Sequence, residues 1–232
     1  MIHVAVVILN WNGRGMLERF LPSVLKYSLM SSDSERGWQV PHDPGMELES
    51  KVFVADNGST DDSVEFMRRR YPQVPLILLD KNYGFAEGYN KALAQVDADY
   101  YVLLNSDVEC TPHWIQPVIS MMERDENYAI AQPKMLMYDR KHTFEYAGGA
   151  GGFIDHYGYP FCRGRIFSTL ERDHGQYDEE CDIFWASGAA MFVRAEVYRE
   201  LHGLDGDFFA HMEEIDFCWR AKNSGYSVRY CP

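Results

Sequence analysis

The sequence predicts an α/β protein: an open, mostly parallel, twisted sheet flanked by helices. Two observations carry that expectation. Short apolar or β-branched runs alternate with stretches of helical spacing through the first half of the chain, and such alternation implies parallel strands joined by right-handed crossovers. Polar clusters then recur just past the ends of three of those runs, where open α/β sheets bind ligands. At 232 residues the chain is long enough for one large core, and a single domain over residues 1–232 is expected.

The elements follow in order. Val4–Leu9 is an almost unbroken apolar run, as a strand buried on both faces requires. Leu17, Phe20, Leu21, Val24 and Leu25 then recur at helical spacing, predicting a helix over Met16–Tyr27. Ser28–Ser50 is polar with two prolines and two glycines, and reads as a surface insertion. A second strand is expected at Lys51–Asp56, a helix at Asp61–Tyr71 capped by Thr60 or Asp61, and a strand at Leu76–Leu79. Phe85–Ala94 reads as a third helix and Tyr100–Asn105 as a fourth strand. Pro112 suits the first turn of a helix running to about Arg124. From Met137 to Asp182 glycines and aromatics are scattered without a period. Regularity returns in a strand at Ile183–Val193, a helix at Glu214–Ser224 ended by Gly225, and a strand from Tyr226.

Composition narrows the function. Hydrophobic residues at 46% and charged residues at 25% suit a globular chain, and a net charge of −13 excludes a nucleic-acid footprint. Arg68-Arg69-Arg70 is more simply the solvated end of a helix. No run is long and apolar enough for a transmembrane span. Five cysteines, an odd number without a CxxC pair, give neither a disulfide framework nor a zinc site and predict a cytoplasmic chain.

Three clusters carry candidate chemistry. Asp107 and Glu109 lie two apart past an apolar strand, so extended backbone would point both carboxylates one way, a hard-oxygen pair suited to Mg²⁺ or Mn²⁺; a polar strand end is the bland alternative. Asp56-Asn57-Gly58-Ser59 makes either a simple turn or an acceptor for a base N–H or ribose hydroxyl. No G-x-G-x-x-G or P-loop is present to hold a diphosphate. His211-Met212-Glu213-Glu214-Ile215-Asp216 is either a solvated acidic helix start or, given Phe208, Phe209, Phe217 and Trp219 around it, a general base in an apolar wall.

Taken together, these stretches resemble glycosyltransferase family 2. The resemblance rests on Val7-Ile8-Leu9-Asn10-Trp11-Asn12, Val54–Asp61, Asn82-Tyr83-Gly84-Phe85-Ala86 with Gly88 and Asn90, and Leu104-Asn105-Ser106-Asp107-Val108. Later come Ser187–Arg194, Gly203-Leu204-Asp205, Glu213–Arg220 and Gly225-Tyr226. The resemblance implies a GT-A fold, with a nucleotide-sugar-binding half over residues 1–134 and an acceptor and catalytic half over 135–232. It implies inverting transfer of a sugar from a nucleoside diphosphate donor, UDP or dTDP type, to a glycan or lipid-linked saccharide. Asn10, Asn12, Asp56, Asn57, Asn82, Gly84, Asn105 and Ser106 would then bind donor, and Asp107 would hold a divalent metal, Mg²⁺ or Mn²⁺. Asn105 stands where the family's DxD motif begins with Asp. Glu214 falls at the catalytic base of the "ED" motif with Glu in place of Asp, and Glu213 is its rival. Trp185, Gly188 and Asp216 would lie on the acceptor side, and the aromatics Phe153, Tyr157, Tyr159 and Phe161 would stack on a sugar or pack. In the family a His-containing stretch usually follows the strand that here ends at Pro232, so a C-terminal truncation is expected. Cell-surface polysaccharide synthesis at the inner membrane face is the implied setting. The rivals are a non-catalytic nucleotide-sugar-binding module, a sugar nucleotidyltransferase and a glycoside hydrolase with paired carboxylates.

Overall fold

The computed structural model describes residues 1–28 and 46–232. Its frame is one eight-stranded sheet. Chain order runs β1 (Ile2–Asn10), α1 (Arg14–Ser28), β2 (Leu48–Asn57), α2 (Ser63–Arg70), β3 (Leu76–Leu79), α3 (Ala86–Leu93), β4 (Tyr100–Asn105), α4 (Gln116–Met122) and β5 (Tyr128–Pro133). Four short strands follow, β6 (Gly152–Ile154), β7 (Pro160–Cys162), β8 (Arg165–Ile166) and β9 (Thr169–Leu170). The chain closes with β10 (Cys181–Ile183), β11 (Ala190–Arg194), α5 (Ala195–Glu200), α6 (Glu213–Asn223) and β12 (Ser227–Cys231).

In space the sheet runs β10-β12-β5-β11-β4-β1-β2-β3, and only β10 and β11 oppose the common direction. The chain steps outward from β1 to β3, then returns to lay β4 on the other side of β1. That reversal opens a crevice between the carboxyl ends of β1 and β4, the place where such sheets bind ligands. Alternate residues of β1 feed two cores. Val4, Val6 and Ile8 pack with Leu17, Leu21, Phe66 and Val118 on one face. Ala5 and Val7 pack with Tyr89, Leu93, Val197 and Phe217 on the other. A strand buried on both faces must be apolar at every position, which is why Val4–Ile8 has no polar break.

Several expectations need correction. The Ser28–Ser50 insertion lies largely outside the described residues, but Ser28 closes α1 and Leu48–Ser50 already belongs to β2. Asp62 occupies the cap position of α2 without a side-chain cap bond. Asp61 instead accepts from the N–H groups of Ser63 (3.0 Å) and Arg14 (3.2 Å), tying α2 to α1. Pro112 lies in a turn, with His113 at φ +61°, and α4 begins only at Gln116 with Pro117 in its first turn. Ile183–Val193 is two strands, because the backbone must turn at Ser187–Ala189: Ser187 N–H donates to Gln132 Oε1 (2.8 Å). The strand β5 and the helix α5 carried no expectation. All five cysteines are free thiols.

Candidate active site

Asn10 and Asp56 are neighbours in register at the ends of β1 and β2. Asn10 Nδ2 donates to Asp56 Oδ2 (3.1 Å) and to Ser59 Oγ (3.3 Å), and Ser59 N–H donates to Asp56 Oδ1 (2.9 Å). Asp56 is thus a buried carboxylate held in a fixed orientation. Asn10 Oδ1 is buried and without a partner, in contact with Gly13: a Cβ on that glycine would stand 2.4 Å from the oxygen. Asn12, at φ +51°, accepts with its Oδ1 from Thr60 N–H (2.7 Å) and Asp61 N–H (3.2 Å), so it shapes the loop after β2.

Asn57 and Asn82 also organise the backbone beside them. Asn57 Nδ2 donates to Asn82 Oδ1 (3.1 Å) and Gly84 O (2.8 Å), and its Oδ1 accepts from Tyr83 N–H (3.0 Å). Asn82 Oδ1 also accepts from Gly84 N–H (2.8 Å). Their amides fold the 82–84 turn inward. Gly84 is at φ +78°, with its Cβ position 2.4 Å from Phe209 O, and Phe85 N–H donates to that same carbonyl (2.6 Å). The 82–84 turn is therefore fastened directly to the segment leading into α6. Asn90 makes a parallel fastening, bonding both the N–H and the carbonyl of Leu204 and accepting from Tyr198 Oη.

Asn105 ends β4, its N–H bonded to Ala189 O (3.0 Å), and the backbone turns at Ser106 and Asp107. The extended geometry expected for Asp107 and Glu109 is absent. Glu109 forms an ion pair with Lys141, while Asp107 is exposed and makes no hydrogen bond or ion pair among the described residues. Burial raises the pKa of Glu145, on which no expectation fell, and the charge of Asp107 is close enough to add a smaller rise. Its segment is the one where sequence periodicity fails, so only its chemistry could have flagged it. No group of three or more His, Cys, Asp or Glu side chains converges among the described residues. The donor set fits a hard cation that takes one or two carboxylates and fills its shell with water and phosphate, not an all-protein cage.

Glu213 and Glu214 open α6, after His211 and Met212, both at φ +73°. That left-handed turn swings the first carboxylates of the helix inward. Glu213 is buried, and burial with the neighbouring charge of Glu214 pushes its pKa up to about 7. Burial also raises Glu214, against the pull of His211. Oε2 of each is buried without a partner. Two proton-hungry carboxylates with free oxygens are what a general base requires. Gly188 lies directly beneath: a Cβ there would be 3.9 Å from Glu214 Cβ and 3.3 Å from Phe85.

Asn105, Asp107, Glu145, Gly188, Glu213 and Glu214 line one cavity of about 970 Å³. The other two acceptor-side expectations fall elsewhere. Trp185 is buried in the core, its Nε1–H donating to Phe153 O (2.9 Å), and Asp216 pairs with Arg220 (2.7 Å). Of the aromatics, Phe153 and Phe161 stack on one another (5.7 Å), and Tyr157 and Tyr159 point to solvent.

A mostly parallel sheet with polar residues at a β1/β4 switch point, whose β4 end shares a cavity with Glu213 and Glu214 that Asn10 and Asp56 do not line, is the arrangement of the GT-A class of nucleotide-sugar folds. The chain belongs to glycosyl transferase family 2, whose model matches residues 5–201. It is 27% identical over 199 residues to an N-acetylglucosaminyl-diphospho-decaprenol L-rhamnosyltransferase of Mycobacterium tuberculosis, with 78% of this chain and 64% of the relative covered. It is 23% identical over 187 residues to the low-salt glycan biosynthesis hexosyltransferase Agl10 of Haloferax volcanii, covering 78% of this chain and 56% of that one. The chain thus spans less than two thirds of the length of either relative. In fold it is similar to GalNAc-T7 solved with UDP, GalNAc and Mn²⁺ (TM-score 0.72, 13% identity, 100% of this chain and 42% of that one). It is also similar to the mannosyltransferase PcManGT of Pyrobaculum calidifontis solved with GDP-Man and Mn²⁺ (TM-score 0.61, 17% identity, 99% and 54%). No helix among the described residues is long and apolar enough to cross a membrane.

Proposed function

We propose that the chain transfers a sugar from a nucleoside diphosphate donor, UDP or dTDP type, to a hydroxyl of a saccharide or lipid-linked acceptor, with inversion at the anomeric carbon. The observation that carries this reading is the Glu213–Glu214 pair: buried, raised in pKa and unpartnered at Oε2, in the cavity that Asn105 and Asp107 also line.

Asp56, an acceptor-only group when ionised, receives the imide N–H of a uracil or thymine ring, and Asn10 holds it in place. Asn105 and Ser106 carry the ribose and diphosphate toward the cavity. Glu214 takes the proton of the acceptor hydroxyl as that oxygen attacks the anomeric carbon opposite the leaving diphosphate. One carbon–oxygen bond forms while the bond to the diphosphate breaks, so no covalent enzyme intermediate is required. Glu213, its pKa pushed up to about 7, carries its proton below that pH and there keeps a second negative charge away from the departing phosphate. Asp107 and Glu145 are the residues that would hold a divalent cation, which would supply charge neutralisation to the leaving diphosphate. Preorganised alignment of the two substrates supplies much of the remaining acceleration. The lipid-linked acceptor named for the mycobacterial relative and the Mn²⁺ of the structural neighbours favour this reading, which would set the chain in cell-surface polysaccharide synthesis.

The test is nucleotide release from a panel of sugar nucleotides with a saccharide acceptor, for the chain and for Glu214→Gln. The variant should retain donor affinity while kcat falls by about 10²–10⁴-fold, the range for removing a general base. Product of inverted anomeric configuration completes the expectation. Donor binding with no transfer by the parent chain, and no difference in the variant, would favour a non-catalytic sugar-nucleotide-binding module.

A further inference from the structure

Behind the cavity wall lies a polar side chain that does not itself line the cavity. Gln132, in β5, is fully buried, and its amide joins two segments outside the sheet ladder. Its Oε1 accepts from Ser187 N–H (2.8 Å), and its Nε2 donates to Gly148 O (2.6 Å). One partner is a backbone donor and the other a backbone acceptor, so a neutral amide in this orientation satisfies both. A buried amide is unfavourable unless so paired, and an apolar residue here would strip the buried Ser187 N–H of its acceptor.

Both joined segments carry cavity wall. Ser187, Gly188 and Ala189 line it on one, and Glu145, Tyr146 and Ala147 on the other. The two are packed together behind the wall, since a Cβ on Gly148 would stand 3.1 Å from Ser187 Cβ. The 187–189 turn in its turn touches both sides of the reaction. Ala189 O accepts from Asn105 N–H (3.0 Å), and a Cβ on Gly188 would stand 3.9 Å from Glu214 Cβ. Beside the turn, Ala186 N–H reaches α6 through Cys218 Sγ (3.4 Å), a weak acceptor.

We propose that Gln132 is a positioning residue for the transfer: it fixes the 187–189 turn, and through that turn sets where Glu214 stands relative to Asn105 and the 145–148 segment. The inference rests on the role proposed above for Glu214 as the base. Without the amide the turn shifts and the base loses its alignment, and a displacement of about 1 Å in such a group lowers a rate by about 10²-fold. Asn10 and Asp56 are held by bonds to each other and to Ser59, which Gln132 does not touch. The loss therefore falls on kcat and not on nucleotide affinity.

The experiment compares the chain with Gln132→Met and Gln132→Glu, by sugar transfer and by hydrogen exchange, well below each protein's melting temperature. Gln132→Met keeps the length without the bonds, and its kcat should fall by about 10- to 100-fold while UDP binds as in the parent. In Gln132→Glu the carboxyl replaces both bonds only while protonated, because the ionised form has no proton to give Gly148 O. Burial raises its pKa, so transfer relative to the parent should recover as pH is lowered from about 8 to about 6. An unchanged kcat per folded molecule, equal losses of kcat and UDP affinity, or no recovery at lower pH overturns the proposal. If the parent transfers no sugar, the reading of Glu214 as base fails on that ground, and exchange decides for Gln132. Faster exchange in Gln132→Met at both 185–190 and 213–218 supports the link from the turn to Glu214, and anything less overturns it.

Discussion

Among single residues, Glu213 makes the sharpest claim. Its proton affinity rises because burial removes water from the carboxylate and Glu214 adds a like charge. The sign of the consequence follows. A carboxylic acid whose folded pKa exceeds its unfolded value binds more protons in the folded state, so stability falls as pH rises between the two values. For Glu213 that window runs from the ordinary 4.5 to about 7. Thermal denaturation at stepped pH should therefore show the parent losing stability across the window relative to Glu213→Gln, which lacks the titrating group. Parallel curves for the two proteins would show that Glu213 titrates normally. Single residues in the motifs also shape the backbone: the amide oxygens of Asn57, Asn82 and Asn90 accept from the N–H groups of Tyr83, Gly84 and Leu204.

Among elements, the informative one is the fastening of the 82–85 turn to the segment before α6. Phe85 N–H bonds Phe209 O, and Gly84 abuts the same residue with no room for a Cβ. A side chain at Gly84 would meet Phe209 at 2.4 Å and would also be strained at φ +78°. Gly84→Ala should therefore cost about 1–3 kcal/mol in denaturant unfolding. It should also weaken donor binding and turnover together, because one displacement moves both the turn proposed to bind donor and the lead into Glu214. Loss of stability with kcat and KM both unchanged would mean that the two sides are not coupled through this contact. Much of the element order was legible beforehand, since β1, β3, β4 and α6 have strong periods or continuous apolar runs. The misses have local causes. β5, with Ala129, Ala131 and the buried Gln132, lacks the β-branched density that marks a strand, and its Gln is needed to hold the Ser187 turn. Pro112 is compatible with a helix start and with a turn, and the left-handed His113 beside it decides for the turn.

For the whole molecule, the sheet order explains why residues from distant parts of the sequence meet. Reversal after β3 puts β4 beside β1, so Asn10 and Asn105 flank one crevice, and the antiparallel β11 brings the Ser187–Gly188 turn to the same end. The position of the polar edge was readable because each cluster directly follows an apolar run. The opposite wall was not: Glu145 and Tyr146 come from a segment without periodicity, held by bonds such as Glu145 N–H to Met135 O (3.0 Å) and by the Gly149 approach. No sequence period reports contacts of that kind.

The central claim is that the β1/β2/β4 edge binds a nucleoside diphosphate sugar, and a thermal-shift measurement tests it most directly. The chain and Asp56→Ala would each be melted with UDP-, dTDP- and GDP-sugars, with and without Mn²⁺, every shift being taken from that protein's own ligand-free midpoint. Ligand at a hundred times its Kd adds about 2.7 kcal/mol, which for a chain of this size is roughly 5–10 °C. The account predicts a shift of that order with UDP- or dTDP-sugar, larger with Mn²⁺ and lost in Asp56→Ala. An equal shift in the variant, or none for the parent with any sugar nucleotide, would contradict it.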